Sequence, residues 1–379
     1  MSARTSSGPG ILTRVFGSQW FVSVLAVLIA FVIGAVLIAL SGASVADAYY
    51  AMFRGSIIDP NAATFVRQIK PLTDSLFYSI PLIISGLGLA LGFRAGLFNI
   101  GGKGQIIVGA LAAVWVGFAV NLPPVLHTLV ALLVAIVAGG LYAGIAGVLK
   151  AKTGANEVIV TIMLNSIATL GLGYVLAQKA WQVPGSNQPV TPKVADSAAL
   201  TRLLPAPFKL HVGFIVALVA LAFFWWLIER STLGFQIRAV GANAAAARTA
   251  GISVERITAI TMVLSGAFLG LAGANEALGT IGYVSRDVAG SIGFDAITVA
   301  LLGRNKTWGT FGAGLLFGAF KAGGYTMQAK GVPIDMILIL QSVIVLLIAA
   351  PALVRWLFRL PDVRALAAQT RKGNADEHK

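Results

Sequence analysis

Apolar runs of about 20 residues recur along this chain, separated by short basic segments, and that pattern leaves few folds open. The runs fall at 20–40, 76–93, 105–120, 127–149, 158–176, 212–228, 257–273, 292–302, 308–320 and 334–353. Lipid offers no hydrogen bonds to a backbone, so runs of this length must close their own as helices. The expected fold is an all-α polytopic membrane protein, a bundle of eight to ten transmembrane helices. The range reflects 292–302 and 308–320, which are short enough either to span or to re-enter.

Composition agrees with this reading. With 57% hydrophobic and 11% charged residues, the chain lies far from the soluble average of about 25% charged. It has no Cys, hence no disulfide framework and no thiolate metal site, and His127, His211 and His378 are too scattered to gather a metal. The net charge of +14 could suggest nucleic acid as a partner, but the basic residues sit in short loops, as membrane orientation requires. Arg4 and Arg14 precede the first run, and Ala46-Asp47-Ala48 resembles a cleavage site. That run is longer than a secretory signal, so an uncleaved first span is expected.

Charge also assigns sides. Taking alternate loops as inner, these carry 18 of the 28 Lys and Arg, and net charge divides as +12 inside and +3 outside. Both termini are therefore expected in the cytoplasm. The chain divides into a tail at 1–19, a transmembrane region at 20–354 with outer loops at 41–75 and 178–211, and a second tail at 355–379. The inner loop 229–256 is densest in Arg, with Arg230, Arg238, Arg248 and Arg256. Within it Asn243 is a favoured helix cap, four Ala and Arg248 follow, and Gly251 stands where a short helix should stop. Such a helix is either an ordered basic loop or a handle for something outside the bilayer.

Polar residues inside the runs mark candidate path residues. Glu157, Thr161, Asn165 and Thr169 recur every fourth position, one face of a helix that opens near Asn156. Glu157 either lines a polar wall or sits at the inner interface beside Lys152. Asp295 carries the insertion cost of an intramembrane carboxylate, about 2.5–3.5 kcal/mol. It must face a cavity, pair with a base such as Arg304, or lie nearer the interface. The stretch 94–105 holds Gly96, Gly101, Gly102 and Gly104 with Asn99 and Gln105, the grammar of a broken helix whose exposed groups can bind solute, or of a plain glycine hairpin. Glycines four apart, as at Gly266 and Gly270, predict tight helix packing.

Four of these blocks resemble one family. GLFNIGGKGQ (96–105) is similar to a signature of nucleoside ABC importer permeases, GANEVIVTIMLN (154–165) to the opening of their fifth span, and GFDAITVALLG (293–303) to a late gating segment. Gly241, Asn243, Ala247, Arg248 and Gly251 resemble the loop by which sugar and nucleoside ABC permeases dock on an ATPase. Lys103 departs from the pattern, which has Glu there.

The resemblance implies a permease subunit of an ATP-driven importer in the bacterial cytoplasmic membrane, moving a nucleoside past Asn99, Gln105, Asn156, Glu157, Thr161, Asn165 and Asp295. It implies as partners an ABC ATPase subunit, a second permease that is a different chain, and an extracytoplasmic substrate-binding lipoprotein, with membrane lipid around the bundle and no nucleic acid. No catalytic residue, metal or cofactor is expected on the chain. A phosphate loop of the form Gly-x4-Gly-Lys-Ser/Thr is missing, because Gly102-Lys103 is followed by Gly104 and preceded by Leu97 where the first Gly belongs. ATP would then be hydrolysed by the partner subunits. A sugar permease of the same class is the near alternative. An ion-coupled carrier using Asp295 or Glu157 is the distant one.

Overall fold

The computed structural model describes residues 19–183, 185, 188–333 and 335–349. The C-terminal tail and all but the last residue of the N-terminal tail lie outside these. In chain order the helices are α1 (Gln19–Leu40), α2 (Val45–Ser56), α3 (Phe65–Arg94), α4 (Gly102–Ala119), α5 (Leu126–Thr153), α6 (Glu157–Ala177) and α7 (Gly213–Arg230). There follow α8 (Thr232–Ala242), α9 (Ala244–Thr249), α10 (Val254–Asn275), α11 (Ile292–Leu302), α12 (Thr307–Gln328) and α13 (Asp335–Ala349). A 3-10 turn covers Lys179–Trp181, and a π turn, Glu276–Ile281, prolongs α10. No strand occurs among the described residues, only an isolated antiparallel bridge between Arg202 and His211.

Every expected run contains a helix, and the protein is all-α. Six helices, α3 to α7 and α10 with its π turn, are long and apolar enough to cross a membrane. By contrast α11, with 11 residues, rises only about 16 Å, half of a hydrocarbon core of about 30 Å. It is a half-helix, whereas α12, with 22 residues, has the length of a span.

Two compact units can be distinguished, Met1–Tyr49 with Met327–Lys379, and Tyr50–Thr326. In the first, α1 packs on α13, with Gly34 against Tyr49 and Leu340. The Tyr49 hydroxyl donates to the Phe31 carbonyl. In the second, α10 is the central post, with α3, α4 and α5 around it. Gly266 and Gly270 make this possible. Their Cα positions abut the backbone of α5 at Gly139 and Ala135, so any side chain there would collide with main-chain atoms. Without a hydrophobic drive between helices in lipid, such close approach is what holds them together.

The structure changes three boundaries. The segment 41–75, expected as an outer loop, carries α2 and the first turns of α3. Thr64 caps α3 by accepting from the Arg67 amide at 3.4 Å, and Lys70 pairs with Asp74 one turn on, so the charges that ended the apolar run do not end the helix. The run 308–320 stops at Lys321, yet α12 continues to Gln328, because Lys321 is neutralised within the bundle by Asp295. The loop 229–256 holds two helices, α8 and α9, where one was expected.

Candidate functional site

After α3 ends at Arg94 the chain doubles back through Gly96, which has a left-handed φ of 74°, and the Leu97 amide donates to the Gly92 carbonyl. Residues 95–101 then run without helix until α4 opens at Gly102. Asn165, eight residues into α6, and Ser265, eleven into α10, both serve this stretch, so it lies about 12–16 Å from the starts of those helices. Irregular backbone at that depth survives only if the protein satisfies it.

The side chains singled out from sequence do this. Asn165 accepts from the Gly104 amide at 2.7 Å and donates to the Ile100 carbonyl at 2.8 Å. Thr161 accepts from the Ile100 amide at 3.3 Å. Asn99 and Gln105 exchange two amide hydrogen bonds of 3.0 Å, and Asn99 also donates to Ser265 at 3.0 Å and accepts from the Gly101 amide at 2.9 Å. Asn99, Gln105 and Thr161 are buried, and Asn165 is half-buried. Their polar groups are engaged with the broken backbone or, for Gln105, with the Asn99 side chain, which fixes the start of α4 within the bundle.

Asn156 and Glu157 lie at the foot of α6, apart from this network. Asn156 caps the helix, accepting from the Val158 amide at 2.9 Å. Glu157 pairs with Lys150 at 2.9 Å rather than with Lys152. Asp295 occupies the first turn of α11, where the helix dipole favours an anion. Its partner is Lys321 on α12 at 2.8 Å, not Arg304, and it accepts from the Ser291 hydroxyl at 2.7 Å. The start of α11 meets the start of α4: the Cβ position of Gly293 would fall 2.5 Å from the Lys103 amide nitrogen. Two half-way helix starts thus meet inside the bundle, the arrangement by which transporters build sites near mid-membrane. Both candidate ion-coupling carboxylates carry a lysine partner.

Sequence reasoning passed over Lys321, Glu276 and Asn275. Lys321 stands among small residues, and its meaning depends on Asp295, 26 positions earlier. Glu276 lies just past the apolar run 257–273, yet it is buried at the π turn, hydrogen-bonded by Thr280 and within electrostatic reach of Lys321.

The loop 229–256 forms a separate site. The Asn243 side chain accepts from the Ala246 amide at 3.0 Å, opening α9. Gly251, at φ 81°, closes it, with the Gly251 and Ile252 amides donating to the Arg248 and Ala247 carbonyls. Ala247 is the buried residue of α9, while Arg248 is exposed and paired with Glu255 at 3.5 Å. Gly241 is where α8 touches α3, since a side chain there would strike the Arg94 carbonyl. Arg94 in turn donates to the Asn305 carbonyl at 2.8 Å, three residues past the end of α11. A groove of about 560 Å³ runs between α8 and α9, lined by Phe235, Ala239, Ala246, Ala250 and Ile252. Phe235, on its rim, is 60% exposed.

Residues 72–349 match the family described as branched-chain amino acid transport system / permease component. The chain belongs to this permease family. Over 349 residues the permease is 39% identical to the guanosine ABC transporter permease protein NupP of Bacillus subtilis, covering 89% of this chain and 95% of that one. It is 35% identical over 333 residues to the glucose ABC transporter permease protein TsgB13 of Haloferax volcanii, covering 85% of each. With the nucleoside ABC transporter permease protein NupB of Lactococcus lactis it shares 30% identity over 357 residues, 92% and 94% of the two chains. No solved structure matches the permease. It is a multi-pass membrane protein, and both the family and these relatives are transport components.

Proposed function

We propose that the permease imports a nucleoside across a bacterial cytoplasmic membrane, driven by a separate ABC ATPase that docks against α8 and α9. The observation that carries this reading is the capped, exposed α9 beside an apolar groove, in a chain similar along most of its length to a guanosine permease. Loop 229–256 is then cytoplasmic, as are both termini. A second permease of different sequence completes the path, and an extracytoplasmic binding lipoprotein delivers the solute. In this reading catalysis and ATP binding are assigned to the partner, and no catalytic or cofactor-binding role is assigned to this chain.

Force applied to α9 reaches α3 through the contact of Gly241 with Arg94, and from there the re-entrant stretch 95–101 held by Asn99, Gln105, Thr161 and Asn165. Asn156, Glu157 and Asp295 sit on the same moving elements, α6 and α11. The glucose permease relative supports a second reading, a sugar as solute. Uptake measured with a panel of nucleosides and hexoses separates the two.

Arg248→Glu reverses charge at an exposed position of α9, where Arg248 pairs with the exposed Glu255 at 3.5 Å. The expected outcome is unchanged protein in the membrane, continued ATP hydrolysis by the assembled transporter, and uptake reduced at least tenfold. Uptake at the wild-type level would overturn the docking assignment.

A further inference from the structure

At the end of the bundle away from α8 and α9, four buried polar atoms in one neighbourhood have no partner among the described residues: Asn275 Oδ1 and Nδ2, His211 Nε2 and Asp74 Oδ1. The cluster is contiguous. The vacant Cβ position of Gly213 abuts both Asn275 Oδ1 and the His211 ring, and the Cβ position of Gly279 abuts that ring from the π turn. His211 meets Phe77 edge-on at 5.4 Å, Tyr78 follows, and Asp74 lies one turn back on α3. The Tyr78 and Tyr325 rings stand 5.4 Å apart. Glu276, next to Asn275, is buried in the same place.

Buried polar groups are satisfied with few exceptions, and each exception costs stability that folding alone gives no reason to accept. Asn275 is 1% exposed with both amide atoms orphaned, and it is the residue at which α10 passes into its π turn, a device that recurs at functional sites. A carboxamide offers donors and an acceptor, the imidazole nitrogen one more polar atom, and the carboxylate an acceptor. Together they complement two neighbouring hydroxyls, and the tyrosine pair beside them suits a flat ring.

We propose that Asn275, with His211 and Glu276, holds the vicinal hydroxyls of a pentose in transit while Tyr78 and Tyr325 meet the attached base. The assignment rests on the nucleoside reading above. An alternating-access protein encloses its solute contacts in one state and uncovers them in another, so enclosure of Asn275 here is what such a site requires.

The test replaces the cell's own copy with Asn275→Leu, and with Asn275→Ala to avoid added bulk, and measures uptake of labelled guanosine and of 2′,3′-dideoxyguanosine beside the thermal stability of the purified chain. The expected result is stability at or above wild type, guanosine uptake down at least tenfold, and a guanosine-to-dideoxyguanosine ratio falling towards one. Wild-type guanosine uptake in both variants, an equal loss for the two solutes, or a lowered melting temperature in both would overturn the proposal and leave the nucleoside reading standing. Absence of guanosine uptake by the wild type would instead overturn both.

Discussion

Single residues settle how a charged group survives in this bundle. Asp295 and Lys321 face each other across α11 and α12 at 2.8 Å, with Ser291 completing the carboxylate's contacts. Lys321→Met leaves the acid without its base and is expected to cost about 3–5 kcal/mol, whereas Lys321→Met with Asp295→Asn should recover most of it, as read by thermal unfolding in detergent. If the single and double variants melt alike, the two groups are not coupled. His211 behaves differently, because burial pushes its imidazole down to about 4 from 6.5. The unfolded chain takes up that proton below pH 6.5 and the folded one does not until about pH 4. Stability is therefore lost as pH falls through this window, by on the order of 3 kcal/mol. A stability profile of His211→Phe should lack that loss; a profile with the wild-type slope would place the effect elsewhere. The every-fourth-residue stripe of Thr161 and Asn165 was legible in the sequence because it needs only helical periodicity. What those side chains hold was not, since Ile100 and Gly104 lie some 60 positions earlier. The bases beside Glu157 and Asp295 were misassigned for the same reason: proximity in sequence favoured Lys152 and Arg304, and packing chose Lys150 and Lys321.

Among the elements, helices formed where the apolar runs stood, and errors arose where a charge interrupted a run. Lys70 with Asp74 in α3 and Lys321 in α12 each looked like an end and is instead a neutralised interior position. The short helix α9 was readable from its cap and its stop, Asn243 and Gly251, which act locally. Its companion α8 was not foreseen, because the Ser231 cap, accepting from the Gly234 amide at 2.9 Å, directly follows α7 with no polar spacer. The joint between α8 and α3 depends on Gly241 lacking a side chain. Gly241→Val should force the two apart, costing about 1–3 kcal/mol and lowering uptake further than that loss of stability alone would. A variant with wild-type stability and uptake would show that the joint transmits nothing.

For the whole molecule, the two proposed sites lie at opposite ends of α10. At one end stand α8 and the exposed α9; at the other, the π turn gathers Asn275, Glu276 and the aromatic pair. Between them the starts of α4 and α11 meet in close contact, Gly293 against Lys103. A chain without Cys allows the central claim to be tested with a single thiol. Ala245→Cys, on the exposed face of α9, is treated with a membrane-impermeant maleimide in right-side-out and inverted vesicles, with and without the ATPase partner. The account predicts labelling only in inverted vesicles, and protection when the ATPase is bound. Labelling from the outer face, or labelling indifferent to the ATPase, would contradict it.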